Sequence, residues 1–274
     1  MVTDFHTHIL PPWVSQEREK WIERDATFRE LFADPRAKLA SVEDLIAAMD
    51  HDGVDRSVAM GFGWTDVELA RECNDYIAES VQAHPERLIG LASVNPDWGD
   101  DAVRELERCV RLGLRGLGEL HPDTQGFDPG DADTMRPILE VADEHSLVIT
   151  THSSEPVGHL YQGKGRTTPE VLMRFIENAR DYSNMKIVCA HWGGGLPFYA
   201  LMPEVKEALD NVWFDTAASP FLYEAGVSTA VSRIIGPERV LLGSDFPLIR
   251  FSRLRRHIEE SGLKLTDFSG CGPF

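Results

Sequence analysis

Short apolar segments rich in β-branched residues alternate with longer helical segments along nearly the whole 274-residue chain. Eight segments of the first kind predict strands, and a helical pattern follows each of them. Strands separated by crossover helices run parallel, and continuous Val, Ile and Leu are typical of strands buried on both faces. The predicted strands are VTDFH, DRSVAMG, RLIGLASV, LRGLGEL, SLVITTH, MKIVCAH, NVWFDTA and RVLLGSD.

Eight βα units are the number that closes a barrel, and such a barrel needs about 250 residues. We therefore predict a protein of the α/β class with a single (β/α)8 TIM barrel, one domain over residues 1–274. An open, doubly wound sheet is the alternative that element counting does not exclude. The tail after the last helix, DFSGCGPF, is short, and a homodimer would be one way to cover the barrel there.

The helical segments carry their own boundary signals. Residues 15–40, after the first strand, form an insertion whose Pro35 favours several short helices. In SVEDLIAAMDHDG, Ser41 and Asp44 predict a capping box and Gly53 predicts the helix end. Later in the chain, single helices are predicted over residues 197–209 and 222–235.

Composition excludes several classes of protein. The chain has 27 Lys and Arg against 45 Asp and Glu, a net charge of −18, which disfavours nucleic acid and anionic membrane surfaces as partners. No apolar run is long enough to span a membrane, and the N-terminus lacks a signal-peptide pattern. The four cysteines are too widely spaced for a disulfide framework or a thiolate zinc site. We expect a cytoplasmic protein that acts on a small molecule.

Residues that can bind metals stand where the predicted strands end. The C-terminal ends of all strands in a barrel face one mouth, so residues distant in sequence converge there. The set comprises His6 and His8 in strand one, Glu119 and His121 in strand four, His152 in strand five, His191 in strand six and Asp245 in strand eight.

This set predicts a divalent metal site. His6 and His8 are two residues apart in a strand, so both imidazoles point to the same side. Together with His152, His191 and Asp245 they make a nitrogen-rich site with one carboxylate, which suits Zn²⁺, with Mn, Fe or Co as alternatives. A metal with one open position would lower the pKa of its bound water towards about 7.

Four segments, DFHTHILP, VITTHSSEP, KIVCAHWGGGLPF and RVLLGSDFPL, resemble the amidohydrolase superfamily. They resemble in particular the amidohydrolase-related group that includes aminocarboxymuconate semialdehyde decarboxylase. The resemblance implies that His6, His8 and His152 are metal ligands. It implies that His191 either binds metal or hydrogen-bonds the bound water and substrate, and that Asp245 binds metal and shuttles a proton.

Glu119, in GLGEL, bears on the number of metal ions and on the reaction. Some relatives in the superfamily carry a carboxylated lysine or a glutamate that bridges two metals at the end of strand four, and this strand has no lysine. Glu119 is therefore interpreted as a metal ligand, in a site with one or two ions, and it favours hydrolysis. The alternative is that it orients a ligating histidine.

The loop after strand five, THSSEPVGHLYQGKG, is expected to bind substrate because loops at this face of a barrel determine specificity. Lys164 and Arg166 are candidates for a substrate carboxylate, and a solvated polar loop is the alternative. The full set of predicted substrate-binding residues is His121, Glu155, His159, Tyr161, Lys164, Arg166 and Trp192.

Three functions remain open. The first is hydrolysis of an amide, lactone or ester bond in a small carboxylated molecule, with Asp245 and His191 as catalytic residues. The second is metal-dependent, non-oxidative decarboxylation of an unsaturated or aromatic acid at the same site. The third is a barrel that binds a ligand without catalysis, which a complete set of converging ligands disfavours.

Overall fold

The computed structural model describes residues 1–268 and 272–274, and it contains the eight predicted strands. Within these ranges each strand lies inside or within two residues of its predicted segment. The strands are β1 Thr3–His8, β2 Arg56–Met60, β3 Leu88–Gly90, β4 Gly116–Leu120, β5 Val148–Thr151, β6 Lys186–Cys189, β7 Val212–Asp215 and β8 Val240–Leu241.

All strand pairs are parallel, and they close into a barrel. Strands β1 to β3 form one sheet and β4 to β8 another, each in chain order. A bridge between Ala92 and Leu117 joins the sheets on one side, and a bridge between Thr7 and Phe246 joins them on the other. The TIM barrel predicted from the sequence is confirmed, and the open sheet is excluded.

The helices surround the barrel in the connections between strands. They are α1 Pro12–Gln16, α2 Arg18–Arg24, α3 Ala26–Phe32, α4 Val42–Asp52, α5 Val67–Ala83, α6 Asp100–Arg111, α7 Pro122–Gln125, α8 Ala132–Glu144, α9 Pro169–Asn178, α10 Ala190–Gly193, α11 Leu196–Tyr199, α12 Pro203–Ala208, α13 Ser219–Leu222, α14 Gly226–Ile235 and α15 Phe251–Glu260. Short 3₁₀ turns cover Pro96–Trp98, Pro237–Arg239 and Leu265–Phe268.

Helix α4 has the boundaries that its sequence predicts. Ser41 Oγ accepts from the Asp44 amide, the Asp44 carboxylate accepts from the Ser41 amide, and Gly53 ends the helix at φ 69°. The single helix predicted over 197–209 is wrong: it divides into α11 and α12. Met202 is extended because the residue before a proline, here Pro203, is disfavoured in the helical region.

The helix predicted over 222–235 is also wrong at its beginning. It starts at Gly226, and the short helix α13 precedes it. The extended backbone of Tyr223 separates the two helices.

The insertion after β1 is a set of short helices, as its sequence predicts, and it packs over the mouth of the barrel. Its Trp21, Phe28 and Phe32 form an apolar cluster with Phe62 and Trp64, which follow β2. The burial of these aromatic side chains stabilises short helices that would be only marginally stable in isolation. The insertion therefore builds one wall of the cavity described below.

Two strands contain a register shift beside a polar residue of the mouth. Between Asp4 and Thr7, β1 advances three residues while β2 advances two, from Ser57 to Ala59. Strand β4 advances three residues from Leu117 to Leu120 while its partner β5 advances two. Such a β-bulge, with one extra residue in one strand, changes the direction of neighbouring side chains. The two bulges lie beside His6 and Glu119.

In the described ranges, no helix combines the length and apolarity that crossing a membrane requires. Cys73, Cys109 and Cys189 are buried free thiols, and Cys271 lies outside the described residues.

Candidate metal centre and active site

The predicted ligand residues converge at the C-terminal mouth of the barrel. A cavity of about 270 Å³ opens there. His6 lies beneath it, fully buried, and contacts the cluster from below. The predicted site residues among those that line the cavity include His8, Glu119, His121, His152, His191 and Asp245.

The two histidines of β1 turn their Nε2 atoms towards each other, 3.0 Å apart. His8 Nδ1 donates to the Gly61 carbonyl (2.9 Å), and His6 Nδ1 donates to Asp215 Oδ2 (2.8 Å). A neutral imidazole carries one proton, so both Nε2 atoms present lone pairs. Two lone pairs at this distance repel unless a proton or a metal ion lies between them or beside both.

Glu119 occupies the centre of the cluster, and its side chain is 2% exposed. Its Oε2 lies 3.6 Å from His6 Nε2 and 3.7 Å from His8 Nε2. Its Oε1 lies 3.1 Å from His152 Nδ1 and 3.4 Å from His191 Nε2. The Oε2 atom also lies 3.1 Å from His121 Nε2, so each carboxylate oxygen contacts more than one histidine.

The outer nitrogens of His152 and His191 also donate to backbone carbonyls. His152 Nε2 donates to the Lys164 carbonyl (3.0 Å), and His191 Nδ1 donates to the Ala217 carbonyl (3.1 Å). In the neutral form of each ring, the inner nitrogen is therefore an acceptor as well. Asp245 completes the set, with Oδ1 3.3 Å from His8 Nε2.

The cluster thus consists almost entirely of buried acceptor atoms, which only a cation can satisfy together. Within the described residues, two overlapping groups place one ligand atom each within 4.8 Å of one another. They are His6, His8 and Glu119, and Glu119, His152 and His191. Their chemistry fits a divalent metal of the zinc or manganese kind.

Burial and the surplus of acceptors shift the pKa values of the cluster in opposite directions. Burial lowers the pKa of His6, but Asp215 and Glu119 outweigh it and raise that pKa well above its usual value. For His191, burial is outweighed by Glu119 and Asp245, and the pKa rises to about 9. Burial lowers the pKa of His121 to about 4. In the metal-free site, His6 and His191 are therefore protonated where a cation would bind, whereas His121 is neutral.

Left-handed backbone shapes the turn after β6. His191 and Trp192 have φ of 53° and 58°, and the three glycines that follow are also left-handed. A Cβ on Gly194 would lie 2.3 Å from the Ser154 carbonyl oxygen, so only glycine permits this close approach. The turn brings His191 against the loop after β5.

The walls of the cavity are mostly apolar, and the sequence did not identify them. Phe62 stacks flat on His8, with ring centroids 3.8 Å apart. The insertion contributes two cations at the rim, Arg36 and Lys38. The larger apolar lining residues are Leu31, Phe32, Phe62, Leu222, Pro247 and Leu248.

The structure brings only some of the predicted substrate-binding residues to the cavity. Among the predicted residues, only His121 and Tyr161 line it. His159 and Arg166 are exposed and do not line it, and the Glu155 carboxylate accepts from the Tyr161 hydroxyl at 3.4 Å. The cavity-facing cations come from the insertion rather than from the loop after β5.

The predicted substrate-binding roles of Lys164 and Trp192 do not agree with the structure. Lys164 Nζ donates to the carbonyls of Val157 and His159, so it closes its own loop instead of facing the cavity. Trp192 is fully buried, and its Nε1 donates to Ser219 Oγ (2.8 Å). A left-handed turn directs the indole into the core, which a strand-end position did not reveal.

One polar residue of the centre was missed entirely. Asp215, at the end of β7, contacts both His6 and the backbone of His191. Its position at the C-terminal end of a strand, in NVWFDTA, was the available signal.

The chain belongs to the amidohydrolase family, whose sequence model matches residues 3–261. A curated relative, 2-amino-3-carboxymuconate-6-semialdehyde decarboxylase of Dictyostelium discoideum, is 25% identical over 89% of this chain and 81% of its own length.

Solved structures with the same fold include two decarboxylases. The 5-carboxyvanillate decarboxylase of Sphingomonas paucimobilis superposes with a TM-score of 0.80, at 20% identity, over 99% of this chain and 97% of that chain. A dihydroxybenzoic acid decarboxylase of Polaromonas sp. JS666, solved with manganese and the inhibitor 2-nitroresorcinol, superposes with a TM-score of 0.69. It is 18% identical, and the match covers 100% of this chain and 96% of that chain.

Proposed function

We propose that the chain is a metal-dependent decarboxylase that removes a carboxyl group from a small aromatic or unsaturated acid. The observation that carries the proposal is the cage of buried acceptor atoms at the inner end of a cavity with apolar and aromatic walls. The names of the relatives support it, since all three are decarboxylases of such acids. They give no support to the hydrolase favoured from the sequence.

The residues that would hold the cation are His6, His8 and Asp245, with Glu119, His152 and His191 as further ligands. A bound divalent cation would neutralise the substrate carboxylate and fix its orientation. Zinc suits the nitrogen-rich donor set, and manganese is the ion found with the Polaromonas relative.

The protein's own residues would bind the ring and supply the proton. Phe62, Leu222 and Leu248 would contact the faces and edges of the ring. Asp245 and His191 line the cavity and would deliver a proton to the carbon that bears the carboxylate. The bond between that carbon and the carboxylate then breaks, its electron pair returns to the ring, and carbon dioxide leaves.

Hydrolysis is the second candidate because of one observation. Both oxygens of Glu119 are directed at ligand-type nitrogens, an arrangement that would suit two cations and an activated water between them. The number of metal ions per chain therefore helps to distinguish hydrolysis from decarboxylation. Two ions per chain, one of them lost in Glu119→Ala, would favour hydrolysis.

The test uses paired substrates that differ only in the reacting group. Hydroxybenzoic acids and their methyl esters are incubated in D₂O with enzyme loaded with Mn²⁺ or Zn²⁺. A decarboxylase releases carbon dioxide from the acid and leaves one deuterium on the ring carbon that lost it. A hydrolase releases methanol from the ester. Asp245→Asn is expected to abolish either activity, and methanol without carbon dioxide would overturn the decarboxylase.

A further inference from the structure

Asp215 is fully buried at the end of β7, and its two carboxylate oxygens have different partners. Oδ1 accepts from two backbone amides, those of His191 (2.9 Å) and Ala217 (3.0 Å). Oδ2 accepts from His6 Nδ1 at 2.8 Å. Three donors of the protein therefore use this one carboxylate.

The partners of Oδ1 form a closed ring of hydrogen bonds. The Ala217 carbonyl accepts from His191 Nδ1, while the amides of both residues donate to Asp215. This ring holds His191 in its left-handed conformation and fixes the nitrogen that faces Glu119. One side chain thus contacts the histidines on both sides of Glu119.

We propose that Asp215 is the positioning residue of the metal centre: it keeps the proton of His6 on Nδ1, so that Nε2 faces the cation with a lone pair. This inference rests on the metal-dependent function proposed above. A carboxylate that accepts from the outer nitrogen of a ligating histidine fixes both its tautomer and its ring plane.

The contacts of Oδ1 make the effect of Asp215→Asn predictable. Backbone amides can only donate, so the new side chain must turn its carbonyl oxygen to the amides of His191 and Ala217. Its NH₂ group then faces His6 Nδ1 and donates to it. A neutral His6 must accept there and carry its proton on Nε2, which blocks the ligand position. The substitution therefore preserves packing but reverses one hydrogen bond.

Asp4 offers a matched control in the same barrel. It is also buried, and its Oδ1 accepts from the amides of Ser244 (2.8 Å) and His6 (3.3 Å). Its Oδ2, however, faces the Ser244 hydroxyl (2.5 Å), which can accept as well as donate. Asp4→Asn can therefore keep its partners, and we expect it to bind metal within twofold of the unmodified protein.

The experiment titrates Mn²⁺ or Zn²⁺ into metal-stripped protein and records affinity and thermal unfolding separately. Asp215→Asn should lose about 10- to 100-fold in metal affinity. Asp215→Ala leaves two buried amides without an acceptor, so it should unfold more easily, yet lose less affinity because His6 is free to choose its tautomer. If Asp215 had a purely structural role, the variant that unfolds more easily would also be the one that binds metal more weakly.

Two outcomes of the metal titration would overturn the inference. Asp215→Asn with metal affinity within twofold of the unmodified protein would overturn it and leave the proposed function intact. Unmodified protein that binds neither cation would overturn both. If Asp215→Asn does not fold, ¹⁵N-histidine spectra of the unmodified zinc-loaded protein decide. They should contain an Nδ1–H signal that disappears in His6→Gln, and its absence would refute the proposal.

Discussion

The ring of Phe62 lies parallel to the imidazole of His8, with ring centroids 3.8 Å apart and planes 13° apart. His8 Nδ1 also donates to Gly61, so one stack and one hydrogen bond fix the ring. We expect Phe62→Leu to lower metal affinity several-fold and to raise KM for aromatic acids, because the imidazole gains freedom and the cavity loses an aromatic face. Metal titration and steady-state kinetics measure both effects.

Phe28→Leu is the matched control, because Phe28 belongs to the same apolar cluster but does not line the cavity. Both variants should lose about 1 to 3 kcal/mol in free energy of unfolding. Only Phe62→Leu should change metal affinity. Equal metal affinities in the two variants would show that the stack does not position His8.

Removal of the metal should destabilise the protein, because the facing acceptors of His6, His8 and Glu119 then lose their cation. A ligand at 100 times its Kd stabilises the folded state by about 2.7 kcal/mol. Chelator-treated protein should therefore unfold at a lower temperature and recover when Mn²⁺ or Zn²⁺ is added. Differential scanning fluorimetry measures the shift.

His8→Gln should abolish the recovery of the unfolding temperature on addition of metal. His145→Gln should retain this recovery, since His145 is exposed and does not line the cavity. A recovery that persists in His8→Gln would place the responsible cation elsewhere.

The convergence of the site was predictable from the sequence because it follows from topology alone. Parallel strands share one C-terminal end, so His6, Glu119 and Asp245 had to meet once eight βα units were recognised. The capping signals of Ser41 and Gly53 are equally local, and α4 follows them.

What the sequence did not reveal depends on side-chain direction. Lys164 was expected to face the substrate, but its ammonium finds carbonyl partners within its own loop. Asp215 stood at the end of a predicted strand, and its contacts with His6, 209 residues away in sequence, and with the backbone of His191 distinguish it from a structural residue. The register shifts beside His6 and Glu119 leave no compositional signal.

A pH dependence of stability is expected from Asp52, which joins α4 to the segment before α15. Burial raises the pKa of Asp52, but hydrogen bonds from His51, Arg250 and the Ser252 amide outweigh it and lower the pKa below 3.8. Because the folded pKa lies below the unfolded one, the contribution is complete above about pH 4 and is lost as pH falls through the folded value.

Asp52→Asn should therefore cost about 2 kcal/mol in free energy of unfolding at pH 7, as expected for hydrogen bonds to a charged group. The cost should shrink at pH values below the unfolded pKa of about 4. Asp50→Asn is the control, because Asp50 pairs with Arg87 on the exposed face of the same helix, where ion pairs contribute little. Urea denaturation at several pH values tests this, and a cost that persists unchanged in acid, at about pH 3, would contradict it.

The two lysines near the mouth should affect different kinetic constants. Lys38 lines the cavity and, across residues 1–268 and 272–274, makes no hydrogen bond or ion pair, so it is available to an anionic substrate. Lys38→Met should raise KM for carboxylic acids several-fold, leave kcat nearly unchanged, and reduce the salt dependence of kcat/KM.

Lys164→Met should instead lower kcat. The Nζ of Lys164 holds the loop after β5 in place through the carbonyls of Val157 and His159. The backbone carbonyl of Lys164 accepts from His152, so a loop that loses the ammonium no longer fixes this histidine of the metal centre. Lys20→Met, on the exposed surface of the insertion, is the control and should change neither constant. If Lys164→Met raised KM alone, as a direct substrate contact would, the rim cations of the insertion would no longer explain substrate binding, and the loop after β5 would regain that role.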